Sequence, residues 1–302
     1  MKRLITLLTV VLFATAVSAQ VGRFSMKVAA GGGAESGYTD EYDALLAAWD
    51  VDPTGDTLDW QDSLIIRLDT AGVTLYGKSL WDKGNVIYLC AQVNEQAATI
   101  NWKSPGDYTI TDPESTDPYF ELNQGWRGNG SSDYLAMNWN PKDDGSANVN
   151  RDSLTLSVYC MDTISSGTSS GTLFGAEEAD SLTHILPHLS GGQLFARINS
   201  NIAYLHTDQN ISYGMFTFVK RNSTQISGYT NGVLDQNRTA ASIGECGTDF
   251  AILANNDDGV MDSFSPNQVG FIYIGEQLSD TEVAYLNTIV DWYMGKIGQS
   301  KQ

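Results

Sequence analysis

The chain has 302 residues, 36 of them acidic against 17 basic, for a formal net charge of −19. A surface of that sign repels phosphate backbones and excludes nucleic acid as a partner. Three cysteines, with no Cys-x-x-Cys pair and no Cys/His cluster, exclude a structural zinc site.

Residues 1–19 read as a signal peptide. Lys2 and Arg3 precede an apolar run from Leu4 to Val17, and Ala16-Val17-Ser18-Ala19 puts small residues before a cut at Gln20. The run falls short of the roughly 20 residues that cross a bilayer, so no membrane span is expected in the mature chain. Removing it leaves 15 basic against 36 acidic residues. Residues 20–37, with Gly31-Gly32-Gly33, read as a flexible tether.

Residues 38–84 form the helical segment. Tyr42, Leu45, Leu46 and Trp49 recur at helical spacing, and Pro53-Thr54-Gly55 interrupts them. Leu58, Leu64, Ile65, Leu68 and Ala71 continue in a second helix that Gly72 stops.

Residues 85–298 change texture to short strands separated by Gly, Asn, Asp and Ser. Ten strands are predicted: 85–89, 119–122, 134–137, 153–159, 171–176, 193–198, 214–221, 224–230, 250–254 and 269–274. Leu154, Leu156 and Val158 alternate with Thr155, Ser157 and Tyr159. Asn231-Gly232 marks a tight hairpin. Strands this brief, with no helices between them, predict an antiparallel sandwich. The chain closes on a helix. Ser279-Asp280-Thr281-Glu282 is a capping box, and Val283, Leu286, Ile289, Val290, Tyr293, Met294 and Ile297 form one apolar face that must lie on the sandwich, with Gly298 ending it.

Catalytic patterns are absent. Glu177, Glu178 and Asp180 lack the alternate spacing that would put two glycosidase carboxylates on one strand face, and they read as a solvated acidic turn between Gly175 and Ser181. His184 and His188 are separated by Pro187, which opposes a shared helical metal face. Cys90, Cys160 and Cys246 each adjoin an apolar run and read as buried side chains, with one pairing as the alternative. Asn129, Asn210, Asn222 and Asn237 open Asn-x-Ser/Thr sequons, which matter in a glycosylating host.

Several stretches resemble a family. Glu95-Gln96-Ala97-Ala98, then Asn101-Trp102 and Pro105-Gly106, are similar to a segment of tailed-bacteriophage structural proteins that leads from helices into a laminin-G-like jelly roll. Phe120 to Tyr134, in particular Gly125 to Tyr134, then Ala254 to Gly259 and Ile272 to Gly298 resemble later segments of the same group, so the resemblance spans Tyr38 to Gly298. It implies a mainly β, concanavalin A-like (laminin-G-like) jelly-roll sandwich with an N-terminal helical segment and a C-terminal amphipathic helix packed on it.

The function expected is that of a non-enzymatic virion-surface fibre, decoration or adhesin binding host-surface glycans or other virion or envelope proteins, outside the cell or on the virion. A secreted bacterial carbohydrate-binding or adhesive module is the alternative, and a glycoside hydrolase the remote one. Symmetric assembly into a homo-oligomer stays open. In this fold class calcium sits at the sandwich rim, so Asn255, Asn256, Asp257 and Asp258 are its candidate ligands, against an Asx-rich turn bonding its own backbone. Trp126 and Trp139, near Tyr134, are candidates for stacking on sugar rings, against burial in the core.

Overall fold

A computed structural model describes residues 38–71, 77–113, 118–162, 171–189, 193–206 and 213–300. The leader, the tether and Gly72 lie outside them. Two helices open the described chain: α1, Asp40–Ala48, with Thr39 as N-cap, and α2, Asp56–Thr70. A short helix the sequence did not announce, α3, Leu80–Lys83, carries its own capping box from Ser79 and Asp82. The last helix, α4, is Asp280–Lys296. Its predicted capping box is formed, with Ser279 and Glu282 each bonding the other's backbone N–H.

Among the described residues, sixteen strands make two sheets. In the first, the strands run β12 (Val233–Thr239), β11 (Gln225–Thr230), β10 (Gly214–Asn222), β5 (Leu154–Cys160), β16 (Gln268–Gly275), β3 (Gly125–Arg127) and β2 (Tyr119–Glu121), while β1 (Gly84–Leu89) also pairs with β16. The turn between β11 and β12 is the predicted Asn231-Gly232 hairpin. Thr230 pairs with Val233, and both turn residues hold positive φ, as a type I′ turn requires.

In the second sheet the order is β15 (Val260–Asp262), β14 (Asn255–Asp257), β6 (Phe174–Glu178), β7 (Ser181–Leu189), β8 (Gln193–Arg197) and β9 (Tyr204–His206). Strand β13 (Ala251–Ile252) joins it through β6 and β4 (Leu135–Ala136). Pairing is antiparallel throughout except between β14 and β6.

The inner faces of the two sheets meet in one core. Leu154, Leu156, Val158, Phe216, Phe218 and Ile272 from the first sheet pack against Phe174, Ala176, Ile185, Leu194 and Ala196 from the second. Cys90, Cys160 and Cys246 are buried, and none is in a disulfide. Burial pushes the thiols of Cys90 and Cys246 up to about 12, which keeps them protonated and unreactive.

The first sheet is buried on its other side too. Tyr159, Met215, Val219, Tyr229, Phe271 and Tyr273 point away from the core and pack under Tyr42, Leu45, Leu68, Leu286, Val290 and Tyr293 of the helices. A polar bridge crosses this layer: Tyr42 donates to Gln61, and Gln61 donates to Gln92. Among the described residues, the helical cluster takes in none of the second sheet.

Candidate functional site

Trp126 and Trp139 are not a sugar platform. They are 4% and 0% exposed, because β3 and the segment after β4 turn them into the inter-sheet core. Trp126 packs on Phe120, while Trp139 packs edge-on against Phe250 and donates its indole N–H to Asn85 Oδ1 at 2.9 Å. Core packing wins here because each large ring removes more apolar area from water inside the sandwich than at its rim.

The stretch Asn255 to Asp258 also differs from its expectation. It is a strand and a hairpin turn, not a loop of converging oxygens. Pleating sends Asn255 and Asp257 to one face and Asn256 to the other, and Asp258 occupies the turn with positive φ. Asn256 accepts from Gly259 N and donates to Asp249 O, so its amide serves the hairpin. No group of three or more His, Cys, Asp or Glu that could hold a metal ion occurs among the described residues.

Asn255 belongs to a different constellation. Strand register places Asp262 opposite Asn255, and His184 both opposite Gly175 and opposite Arg197. Asn255 stands one pleat from Asn256, which pairs with Ala176, so it falls level with Gly175. One transverse row therefore crosses five strands on the outer face of the second sheet: Asp262, Asn255, Gly175, His184, Arg197. Glu177 and Asp257, paired with each other, stand two residues further along their strands, on the same face. Leu182, Leu186 and Phe195 complete it.

The row is tied together by hydrogen bonds. His184 Nδ1 lies 2.9 Å from Glu177 Oε1 and 3.4 Å from Asn255 Oδ1. Both are acceptors, so Nδ1 carries a proton. Asn255 Nδ2 donates to Asp262 Oδ1 at 3.0 Å, which fixes the amide with its oxygen toward the imidazole. Arg197 Nη1 is 3.9 Å from Glu177 Oε1, and its guanidinium carbon is 5.1 Å from the centre of the Phe195 ring. The His184 ring lies 5.4 Å from the same ring. The hydrogen bond from His184 comes first among the causes that hold the Glu177 carboxyl below its usual range, so the group is a carboxylate at neutral pH.

Two features mark the row as more than packing. His184 is 5% exposed, yet its Nε2 has no hydrogen-bond partner among the described residues, and Arg197 Nε is in the same condition. Each such atom costs about 1–3 kcal/mol; Trp102 Nε1 and Trp126 Nε1 share the condition in apolar cores, whereas these two nitrogens adjoin the partly exposed Glu177 and Arg197. The side chains of Glu177 and Arg197 meanwhile remain 21% and 28% exposed, within reach of solvent. Gly175 is required at the centre. A Cβ there would lie 2.3 Å from His184 Cβ, so only glycine lets the imidazole cross.

Sequence reasoning placed Glu177 and Glu178 in an acidic turn and ended the strand at Ala176. The strand instead runs to Glu178 and turns through Ala179 and Asp180 into β7. The missed signal was the alternation of Leu182, His184 and Leu186 with Thr183 and Ile185, which has the period of a strand. The side chains of His188 and His206 lie outside the described residues.

No family model matches the sequence, and no curated protein matches it. Among solved structures, the receptor-binding domain of botulinum neurotoxin D superposes with a TM-score of 0.50 at 12% identity, over 70% of this chain and 54% of that one. The chain thus spans about half the length of that domain. Domain 4 of AbnA, an extracellular arabinanase of Geobacillus stearothermophilus, gives a TM-score of 0.41 at 17% identity over 68% of this chain and 98% of that domain. The NanB sialidase of Streptococcus pneumoniae gives 0.34 at 17% identity over 44% and 23%. At the level of fold, then, the chain is a mainly β, concanavalin A-like jelly-roll sandwich with helices covering one of its two outer faces.

Proposed function

We propose that the chain is a non-enzymatic glycan-binding module of an exposed surface, and that the outer face of the second sheet, around Glu177, His184, Arg197 and Asn255, is where the glycan lies. The observation that supports this is the transverse polar row with two unpartnered buried nitrogens. It gathers a carboxylate, an amide, an imidazole, a guanidinium and an aromatic ring on one rigid face. Sugar hydroxyls both donate and accept, so they can bond at once to Glu177 and to Arg197, both of which keep access to solvent. A hydrogen bond to a charged group contributes about 1.5–3 kcal/mol when water is displaced. The setting we propose is outside the cell or on a virion, which the leader pattern and the resemblance to phage structural proteins support.

A glycan array probed with the native protein and with Arg197→Ala tests the reading. Binding to at least one glycan is expected, weakened about tenfold or more by the substitution, the equivalent of roughly 1.4 kcal/mol. Equal binding by both proteins would move the site elsewhere. Hydrolysis of a polysaccharide panel by the native protein, lost in Glu177→Gln, would replace binding with catalysis.

A further inference from the structure

We infer that the glycan taken by this face carries amino groups, a cationic sugar chain such as one built from glucosamine, and is not an acidic one. The inference rests on the glycan-binding reading and adds the charge of the ligand. Among the described residues three carboxylates share the face, Glu177, Asp257 and Asp262, against one guanidinium, Arg197. Glu177 already answers Arg197 and His184, so an incoming carboxylate would have to displace it to find a cation. Asp257 makes no side-chain hydrogen bond or ion pair among the described residues, and both Asp257 and Asp262 are exposed. Among the described residues Asp262 accepts only from the Asn255 amide, a neutral donor that leaves its charge uncompensated.

No lysine or arginine stands in residues 163–170, 190–192 or 207–212, the stretches outside the described residues that adjoin strands β5 to β10 in sequence. The other cations close to these strands in sequence are already engaged: Lys142 pairs with Glu178, Arg151 with Asp152 and Arg221 with Asp280, and Lys220 is buried and donates to Ala240 O. An ammonium group on the ligand would meet Asp257 and Asp262 at the β14–β15 edge. Neighbouring hydroxyls would reach Glu177 and Arg197. The buried imidazole, fixed by Glu177 and Asn255, sets the spacing between these two halves of the row. The whole chain, at −19, adds long-range attraction for the same ligand.

The test is titration of the full chain with three probes at one ionic strength and at a pH where the amine is protonated. They are glucosamine oligosaccharides, the same oligosaccharides N-acetylated, and galacturonate or sialylated oligosaccharides. Binding to the amino form should be at least tenfold tighter than to the acetylated form, with the acidic probes weakest. Asp257→Asn alone, and Asp257→Asn with Asp262→Asn, should each remove most of that preference. Asp50→Asn with Glu95→Gln, which changes net charge equally on the helical side, should keep it. A preference for the acetylated or the acidic probe overturns the inference while leaving glycan binding in place. An equal loss in the Asp50/Glu95 variant also overturns it, since the preference would then come from net charge and not from the face. Binding to none of the probes, nor to any glycan on an array, overturns the underlying reading as well.

Discussion

The two sheets carry different chemistry on their outer faces. On the first, Tyr159, Met215, Tyr229, Phe271 and Tyr273 point outward and vanish under helices. On the second, His184, Arg197, Glu177, Asn255 and Asp262 point outward and bond to one another. A sheet with an apolar outer face must be covered to be stable, and that cover spends the face. The face that carries the polar row is tied by cross-strand bonds, with His184, Asn255 and Phe195 buried in it while Glu177, Arg197, Asp257 and Asp262 keep access to solvent. The helices close the first face, and the second keeps a partly exposed polar rim, the part we propose meets a glycan.

The sharpest way to break this contrast is to strip the cover. Leu286 and Val290 are buried against the first sheet, so Leu286→Ala or Val290→Ala should cost about 2–4 kcal/mol, read from denaturant unfolding. Removing everything after Leu278 should cost more, since it uncovers Tyr159, Phe271 and Tyr273 together, and the product should aggregate. A truncated chain that stays monodisperse and melts at the parental temperature would show that the helices are an appendage, and the division between the two faces would fall.

Much of the covered half was legible in the sequence. The box at Ser279 and Glu282 and the spacing of Val283, Leu286, Val290 and Tyr293 name a helix and its buried side without reference to anything distant. Asn231-Gly232 names its hairpin in the same way. Such signals are local, and so they survive in one dimension. The polar row is different. It draws single residues from β6, β7, β8, β14 and β15, and what unites them is cross-strand register, which no spacing along the chain records. Gly175 misled for a specific reason. It looks like a loop glycine, yet it sits mid-strand so that His184 can pass over it. Trp126 and Trp139 misled in the opposite direction, since composition cannot tell an aromatic that fills a core from one that faces a sugar.

A middle-sized effect is expected at that glycine. Gly175→Ala places a methyl 2.3 Å from His184 Cβ and 2.5 Å from Thr183 O, neither of which can swing away, since one is fixed to the strand and the other is backbone. The cost should be about 1–3 kcal/mol of stability, and the displaced imidazole should release Glu177 and Asn255. Melting and glycan binding should therefore fall together, whereas Leu286→Ala should lower melting and leave binding to the folded protein unchanged. If Gly175→Ala lowered stability but bound glycans as before, the row would be structural and the two faces would not differ in purpose.

The smallest effect belongs to Glu177, and its pH dependence sets it apart from everything on the covered face. The hydrogen bond from His184 lowers the folded-state value of this carboxyl below the ordinary glutamate value of about 4.3. A depressed value means that the unfolded chain takes up the proton first as pH falls. The contribution of Glu177 is thus fully present above the ordinary glutamate value and is lost as pH drops through the lower, folded-state one. Glu177→Gln keeps the shape and cannot ionise. It should melt below the native protein at neutral pH by a margin worth about 1 kcal/mol, as expected of a partly exposed pair. That margin should close on acidification, and only below the ordinary glutamate value. Leu286→Ala, which removes apolar packing alone, should keep its deficit across the same range. Melting curves for the three proteins from neutral pH down to about one unit below the glutamate value measure both behaviours. A Glu177→Gln deficit that stayed constant with pH would mean that the carboxylate is not held by His184 in the folded protein, and the geometry assigned to the row would have to be redrawn.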